Sequence, residues 1–276
     1  MDVVGTRIKD RIKEIKNIPT IPVTISRLIK SLQNENVSID ELSKIISRDQ
    51  SIASRIVAAA NSPFFGYPGR INSIEQSILM LGFDFTKSIA LGVSIFSLFH
   101  RQQAVLKRMW AHSYGVATLS GLMCSKVSVA NRGVCFLAGL LHDIGRALFI
   151  KLYSTEYTAL MERDDIIAVE TDAFQSNHGE LGGWFLEDIF FPEEIVVPVS
   201  YHHDIAKATR HKGIATTVYL AEGLISLLNP DIACDGQWTE EHEKALEKSG
   251  LTEDDIKAYE SVLHDELESV NNFFDL

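Results

Sequence analysis

His142 and Asp143 are adjacent within the apolar stretch Leu140-Leu141-His142-Asp143-Ile144-Gly145. A carboxylate in such surroundings needs a partner, because burying it unpaired is expensive. A divalent metal suits both groups, and imidazole with carboxylate fits Zn, Fe, Mn or Ni. Further donors recur at helix-sized intervals: His112 lies 30 residues before His142, His178 36 after it, and His202 24 after His178, with His203 next to it. Each interval is one helix, a turn and a second helix, so an antiparallel bundle can return these side chains to one end of its core. Glu222, 19 residues past His203, is an acid on an otherwise apolar segment. Any one of these histidines, taken alone, reads first as a hydrogen-bonded core residue; His112, His142, Asp143, His178, His202 and His203 as a set favour a metal site. His100, His211, His242 and His264 stand in polar or acidic surroundings and read as surface residues.

The elements that must position these groups read as helices. Ile21, Ile25, Leu28, Ile29 and Leu32 recur on one helical face. Ser38 with Glu41 three residues on forms a capping box for the next helix, whose apolar face is Leu42, Ile45 and Ile46. Helix starts are expected at Ser51 and at Ser73, and Asn61-Ser62-Pro63 with Gly66-Tyr67-Pro68-Gly69 breaks the chain between them. The spacing predicts a long helix over 104–130 and a helix over 134–150 that is apolar nearly all round, hence buried. Pro192, followed by Glu193 and Glu194, opens a helix that runs to Tyr201-His202-His203, and 212–228 is apolar again. No Asn-Gly or Asp-Gly hairpin signal is flanked by alternating runs, so the fold class is all-α.

The chain has 276 residues, 46% hydrophobic and 23% charged, which bounds it to one large globular domain or two intimately joined ones. A net charge of −11 opposes a global electrostatic fit to nucleic acid, so no DNA partner is expected. The charge is uneven: residues 1–70 carry 11 Lys/Arg against 7 Asp/Glu, and residues 236–276 carry 3 against 12. Leu246, Leu251, Ile256, Tyr259, Leu263 and Leu267 give the acidic end helical spacing, so its charges form a solvated helix face. Three cysteines, Cys124, Cys135 and Cys234, without knuckle spacing read as free thiols in a reducing cytoplasm. The longest apolar run, 89–99, is too short to span a bilayer, and the N-terminus lacks a signal-peptide core; no membrane association is expected.

Several ordered motifs resemble one family. Ile18-Pro19-Thr20-Ile21-Pro22, Ile45-Ile46-Ser47-Arg48-Asp49, Ala59-Ala60-Asn61-Ser62-Pro63-Phe64-Phe65-Gly66 and Ile74-Glu75-Gln76-Ser77-Ile78-Leu79-Met80-Leu81-Gly82 resemble, in order, motifs of HDOD domains, the HD-related output domains. His112, His142-Asp143, His178 and His202-His203 resemble the ligand series of HD-superfamily phosphohydrolases. The resemblance covers about 18–228 and implies two helical lobes: an N-terminal HDOD-type lobe over 1–100 and an HD-like bundle over 101–276. It implies a bacterial signalling output, here in a stand-alone version, acting through a protein partner. Many HDOD proteins have lost the HD ligands, whereas this chain keeps them.

Two readings follow. In the first, a regulatory protein retains one or two divalent ions (Fe, Mn or Zn) on His112, His142, Asp143, His178, His202, His203 and Glu222. The loop with Phe64 and Phe65 then meets the partner, unless those rings simply pack in the core. In the second, the centre is a metal-dependent phosphohydrolase for a nucleotide or cyclic dinucleotide, with Asp143 and Arg146 catalytic and Arg146 neutralising phosphate charge. The chain departs from the active enzymes at two places: Glu222 stands where they usually have Asp, and Arg146 where they have Lys. A third possibility is a purely structural metal.

Overall fold

The computed structural model describes residues 21–274 except 33, 35–36, 63–69, 100–102, 128–130, 162, 164 and 235–236. Every regular element among them is a helix. The first five are α1 (Val23–Leu32), α2 (Ile39–Ile46), α3 (Gln50–Ala60), α4 (Ile74–Leu81) and α5 (Phe83–Phe96). In α1, Ile25, Leu28 and Ile29 are buried as their spacing requires. Ser38 accepts from the Glu41 amide, and Ser73 from the Gln76 amide, so both serines cap as the sequence indicates. The expected start at Ser51 moves: Asp49 caps α3, accepting from the Ser51 and Ile52 amides. A carboxylate is the stronger acceptor and also meets the positive end of the helix dipole.

Asn61 ties together the ends of the segment between α3 and α4. Its side-chain amide donates to Val57 O and Ile71 O, and its carbonyl accepts from the Ile71 amide at 2.9 Å. The residues of that segment expected to meet a partner, Phe64 and Phe65, lie outside the described residues, as do His100 and Ile18-Pro19-Thr20.

The second half comprises α6 (Gln103–Met123), α7 (Arg132–Leu141), α8 (Ile144–Thr158), α9 (Ile166–Phe174), α10 (His178–Asp188), α11 (Glu193–Tyr201), α12 (Lys212–Leu228), α13 (Glu240–Ser249) and α14 (Glu253–Phe274). Helices α6 and α11 each pack on α7 and α12, which also pack on each other, with α10 between α8 and α11. Helix α5 packs on α1, α3 and α4 on one side and on α7 on the other, so it joins the N-terminal bundle to the second. The core runs through this wall without a gap, from Leu28 and Ile56 to Leu137 and Leu224.

Three expectations need correction. The helix over 134–150 is two helices, α7 and α8, broken at His142-Asp143. The break aims both side chains at the core centre, which one continuous helix cannot do because successive residues diverge by about 100°. The helix over 104–130 ends at Met123 and gives way to turns over 124–127. His242 is not a surface residue: it is buried, stacked on Tyr219 with centroids 4.0 Å apart, and its Nδ1 accepts from the Thr239 amide in a capping box. His211 is half-buried and His264 is exposed.

The acidic C-terminal helices dock as their apolar spacing indicates, burying Leu251, Tyr259 and Leu263. One carboxylate departs from the solvated face. Glu266 is fully buried and accepts from Tyr114 Oη at 2.8 Å, fastening α14 to α6. The stretch Arg132–Tyr153 is long and apolar enough to cross a membrane, but its most apolar 18 residues are buried inside the fold.

Candidate metal centre

Six elements converge on one point. Helix α6 supplies His112, the α7–α8 break supplies His142 and Asp143, and α10 supplies His178 at its first residue. The end of α11 supplies His202 and His203, and α12 supplies Glu222. Glycine makes the tightest of these junctions possible. A Cβ on Gly145 would fall inside contact distance of the His178 carbonyl oxygen and carbon and of the Gly182 amide, all backbone. Only a residue without a side chain lets α8 approach α10 closely enough to set Asp143 beside His178.

Two groups of ligand atoms result, each within 4.8 Å of one another: Asp143, His178, His202 and His203; and His112, His142 and Glu222. Asp143 stands between them. Its Oδ1 is 3.0 Å from His178 Nε2 and 3.5 Å from His142 Nε2, while its Oδ2 is 3.7 Å from His112 Nε2. Glu222 Oε2 is 2.9 Å from His142 Nε2, and Oε1 is 3.5 Å from His112 Nε2. His112, His142, Asp143, His178 and His202 are at most 1% exposed, and Glu222 3%.

Three of the imidazoles are oriented by a partner at Nδ1. His142 Nδ1 donates to Gly139 O at 2.7 Å, and His202 Nδ1 to Val199 O at 2.7 Å. His178 Nδ1 donates to Glu170 at 2.8 Å. Each therefore turns Nε2 toward the centre, the outer-partner arrangement that metal-bound histidine adopts. Two inner contacts are nitrogen to nitrogen, His112 Nε2 to His142 Nε2 at 3.2 Å and His203 Nε2 to His178 Nε2 at 2.8 Å. Both oxygens of Asp143, both oxygens of Glu222 and Nε2 of His202 are buried and lack the alignment of a hydrogen bond. Orphaned buried acceptors of this kind are rare. Divalent cations held by these two groups would give them partners, so the residues present fit a metal.

The electrostatics agree. Burial raises the Asp143 carboxyl, but Arg146, then His142 and His178, outweigh it and hold its pKa well below the ordinary range. Glu222 is likewise held well below, as His142 and His112 outweigh burial. Burial pushes His202 down to about 3, with His142 and His178 adding to it, and His203 falls well below its ordinary value for the same cause. These two rings are therefore neutral, ready to ligate. His178 goes the other way: burial lowers it, but Glu170 and Asp143 raise it to about 10.

Arg146 is wholly buried, with Nε 3.0 Å from Asp143 Oδ2. That place makes it a counter-ion to the carboxylate, away from any surface where a phosphate could meet it directly. Sequence reasoning overlooked Glu170, which is fully buried and accepts from Tyr157 Oη at 2.6 Å and from the His178 amide at 2.8 Å. The signal that singled out Glu222 applies here too: an acid following the apolar Ile166-Ile167-Ala168-Val169, eight residues before His178. Cys234 was also overlooked; its sulfur lies within 4.8 Å of ligand atoms of His112 and Asp143.

A cleft of about 860 Å³ reaches the centre's edge at His203. Lys126, Lys212, Lys244 and Lys248 line it, against Asp204 and Glu241. Two of the three lysines in the acidic segment 236–276 thus face this cleft.

Among known proteins, the chain resembles an uncharacterized protein of Treponema pallidum (strain Nichols), 23% identical over 239 residues. The match covers 82% of this chain and 45% of that protein, so the chain spans about half the length of the curated relative. A solved structure of an HDOD domain protein with unknown function from Geobacter sulfurreducens superposes with a TM-score of 0.74 at 25% identity, covering 97% of this chain and 94% of that one. A Shewanella amazonensis SB2B structure described as a "putative metal-dependent phosphohydrolase" shares the fold, with a TM-score of 0.70 at 20% identity and 95% of each chain covered. The family model described as the HDOD domain matches residues 18–205, most of the chain, ending before Glu222, Cys234 and the cleft lysines of α12 and α13. The chain belongs to the HDOD domain family.

Proposed function

We propose that this HDOD protein carries a working divalent metal centre of the phosphohydrolase type, which acts on an anionic phosphoester entering along the lysine-lined cleft. The observation that supports this reading is the pair of ligand groups joined through Asp143, with a cationic cleft opening at His203. His112, His142 and Glu222 would hold one ion, and Asp143, His178, His202 and His203 a second. Such ions, when bound, supply Lewis acidity and an acidified water for attack at phosphorus. Lys212 and Lys248, beside Lys126 and Lys244 that are paired with Asp255 and Glu240, would bind the phosphate charge that Arg146, buried on Asp143, does not reach. His203 is half-buried at the cleft and neutral, so it is the ligand of the second ion that faces the cleft. Free thiols at all three cysteines suit the reducing cytoplasm.

A second reading is favoured by the closure of the centre. Five of its ligand residues are at most 1% exposed, which suits a metal that only fixes the fold of a signalling protein contacting a protein partner. Turnover separates the two. Protein loaded with Mn²⁺ or Fe²⁺ should hydrolyse a generic phosphodiester and a panel of nucleotides and cyclic dinucleotides, and His142→Ala should abolish this. Metal-loaded protein without turnover on any of them leaves the regulatory reading standing.

A further inference from the structure

Cys234 follows the short turn Pro230–Ile232, outside the helix bundle proper. One face of α6 holds this segment. Arg108 donates from Nη2 to Ala233 O at 3.0 Å, and a Cβ on Gly115 would lie 3.3 Å from Ile232 Cδ1. Residues 108, 112 and 115 are spaced i, i+4, i+7 on that helix, so the contacts that seat the segment flank His112 on either side. Cys234 is thereby carried over the His112 side of the centre. Its Sγ, a ring nitrogen of His112 and a carboxylate oxygen of Asp143 lie within 4.8 Å of one another. The Sγ donates weakly to Ile232 O at 3.8 Å and also interacts with the His112 ring, contacts that a bond from sulfur to a metal would replace.

The groups it faces are in want of a partner. His112 is 1% exposed and its Nδ1 has no hydrogen bond; Asp143 is fully buried, and neither oxygen has an aligned one. Ligands of one zinc ion, at about 2.0–2.3 Å from the metal, stand at most about 4.5 Å apart. The trio therefore comes close to the span of a single coordination sphere.

We propose that Cys234 is a thiolate ligand of the metal centre, on the His112–Asp143 side. This rests on the metal part of the functional reading above and is independent of turnover. On coordination the thiol releases its proton to solvent and sulfur binds the ion. Nitrogen and oxygen donors alone accept Mn²⁺ readily, whereas a thiolate shifts the preference toward Zn²⁺, Co²⁺ and Fe²⁺. The centre would then be a mixed N/O/S site, closed on this side by a segment outside the matched family region.

Cobalt reports sulfur directly. Metal-free protein reconstituted with Co²⁺, its metal content measured, should show the near-ultraviolet charge-transfer band of a thiolate–cobalt bond. Cys234→Ser should lose that band while still binding cobalt, and should lose more affinity for Zn²⁺ than for Mn²⁺. A second measurement needs no variant. Cys124 and Cys135 are buried, so in metal-free wild type a thiol reagent should modify Cys234 first, and Zn²⁺ should protect it. Full cobalt occupancy with no such band, and Cys234 equally reactive with and without Zn²⁺, overturns the assignment and leaves the metal centre intact. Absence of any bound metal overturns both.

Discussion

His178 is the residue whose chemistry is most dependent on its neighbours. Burial works against its charge, yet Glu170 on its Nδ1 side and Asp143 on its Nε2 side raise its pKa to about 10. In the metal-free protein it is therefore protonated at neutral pH, and a metal must displace that proton. Below about pH 10 the apparent metal affinity should rise at least about tenfold per pH unit, because His112 and His142, whose pKa values neighbouring acidic groups also raise against burial, release protons as well. Calorimetry in buffers of different ionisation enthalpy reads the proton release. Glu170→Gln removes the largest raising partner, so it should release less proton on binding and also cost about 10–100-fold in affinity. Unchanged affinity and proton release in that variant would mean that His178 does not ligate through Nε2.

At the scale of elements, the site is made by breaks and close approaches. The α7–α8 break turns a pair of adjacent residues into two convergent donors, and Gly145 lets α8 rest against α10. Gly145→Ala should lower unfolding free energy by about 1–3 kcal/mol, because the added methyl meets backbone that cannot swing away. It should also weaken metal binding, since α10 carries His178. Gly121→Ala is the control: a Cβ there meets nothing nearer than 3.7 Å, so stability and metal content should be retained. Thermal melts and metal analysis of both variants test this. Equal behaviour of the two would show that the helix contact is slack.

At the scale of the molecule, α14 closes the bundle against α6 through Tyr114 and Glu266, with burial and Glu266 pushing the Tyr114 hydroxyl well above its ordinary pKa. Tyr114→Phe removes a hydrogen bond to a buried carboxylate and should cost about 1.5–3 kcal/mol in denaturant unfolding without changing metal content. A loss of metal in that variant would mean that α14 holds α6, and with it His112, in place. The all-helical class, most helix spans, the caps at Ser38 and Ser73, and the residues from His112 to Glu222 that meet in the core were legible in the sequence, because periodicity, capping chemistry and polar residues in apolar stretches are local signals. That Asp143 stands between two groups of candidate ligands, that Arg146 lies against it as a counter-ion, and that Glu170 orients His178 came from the packing of helices distant in sequence. The same holds for His242, which looks like a surface residue beside its glutamates but is buried on Tyr219. Each depends on which face of one helix meets which face of another, and burial by a distant segment leaves no trace in the residues immediately around it.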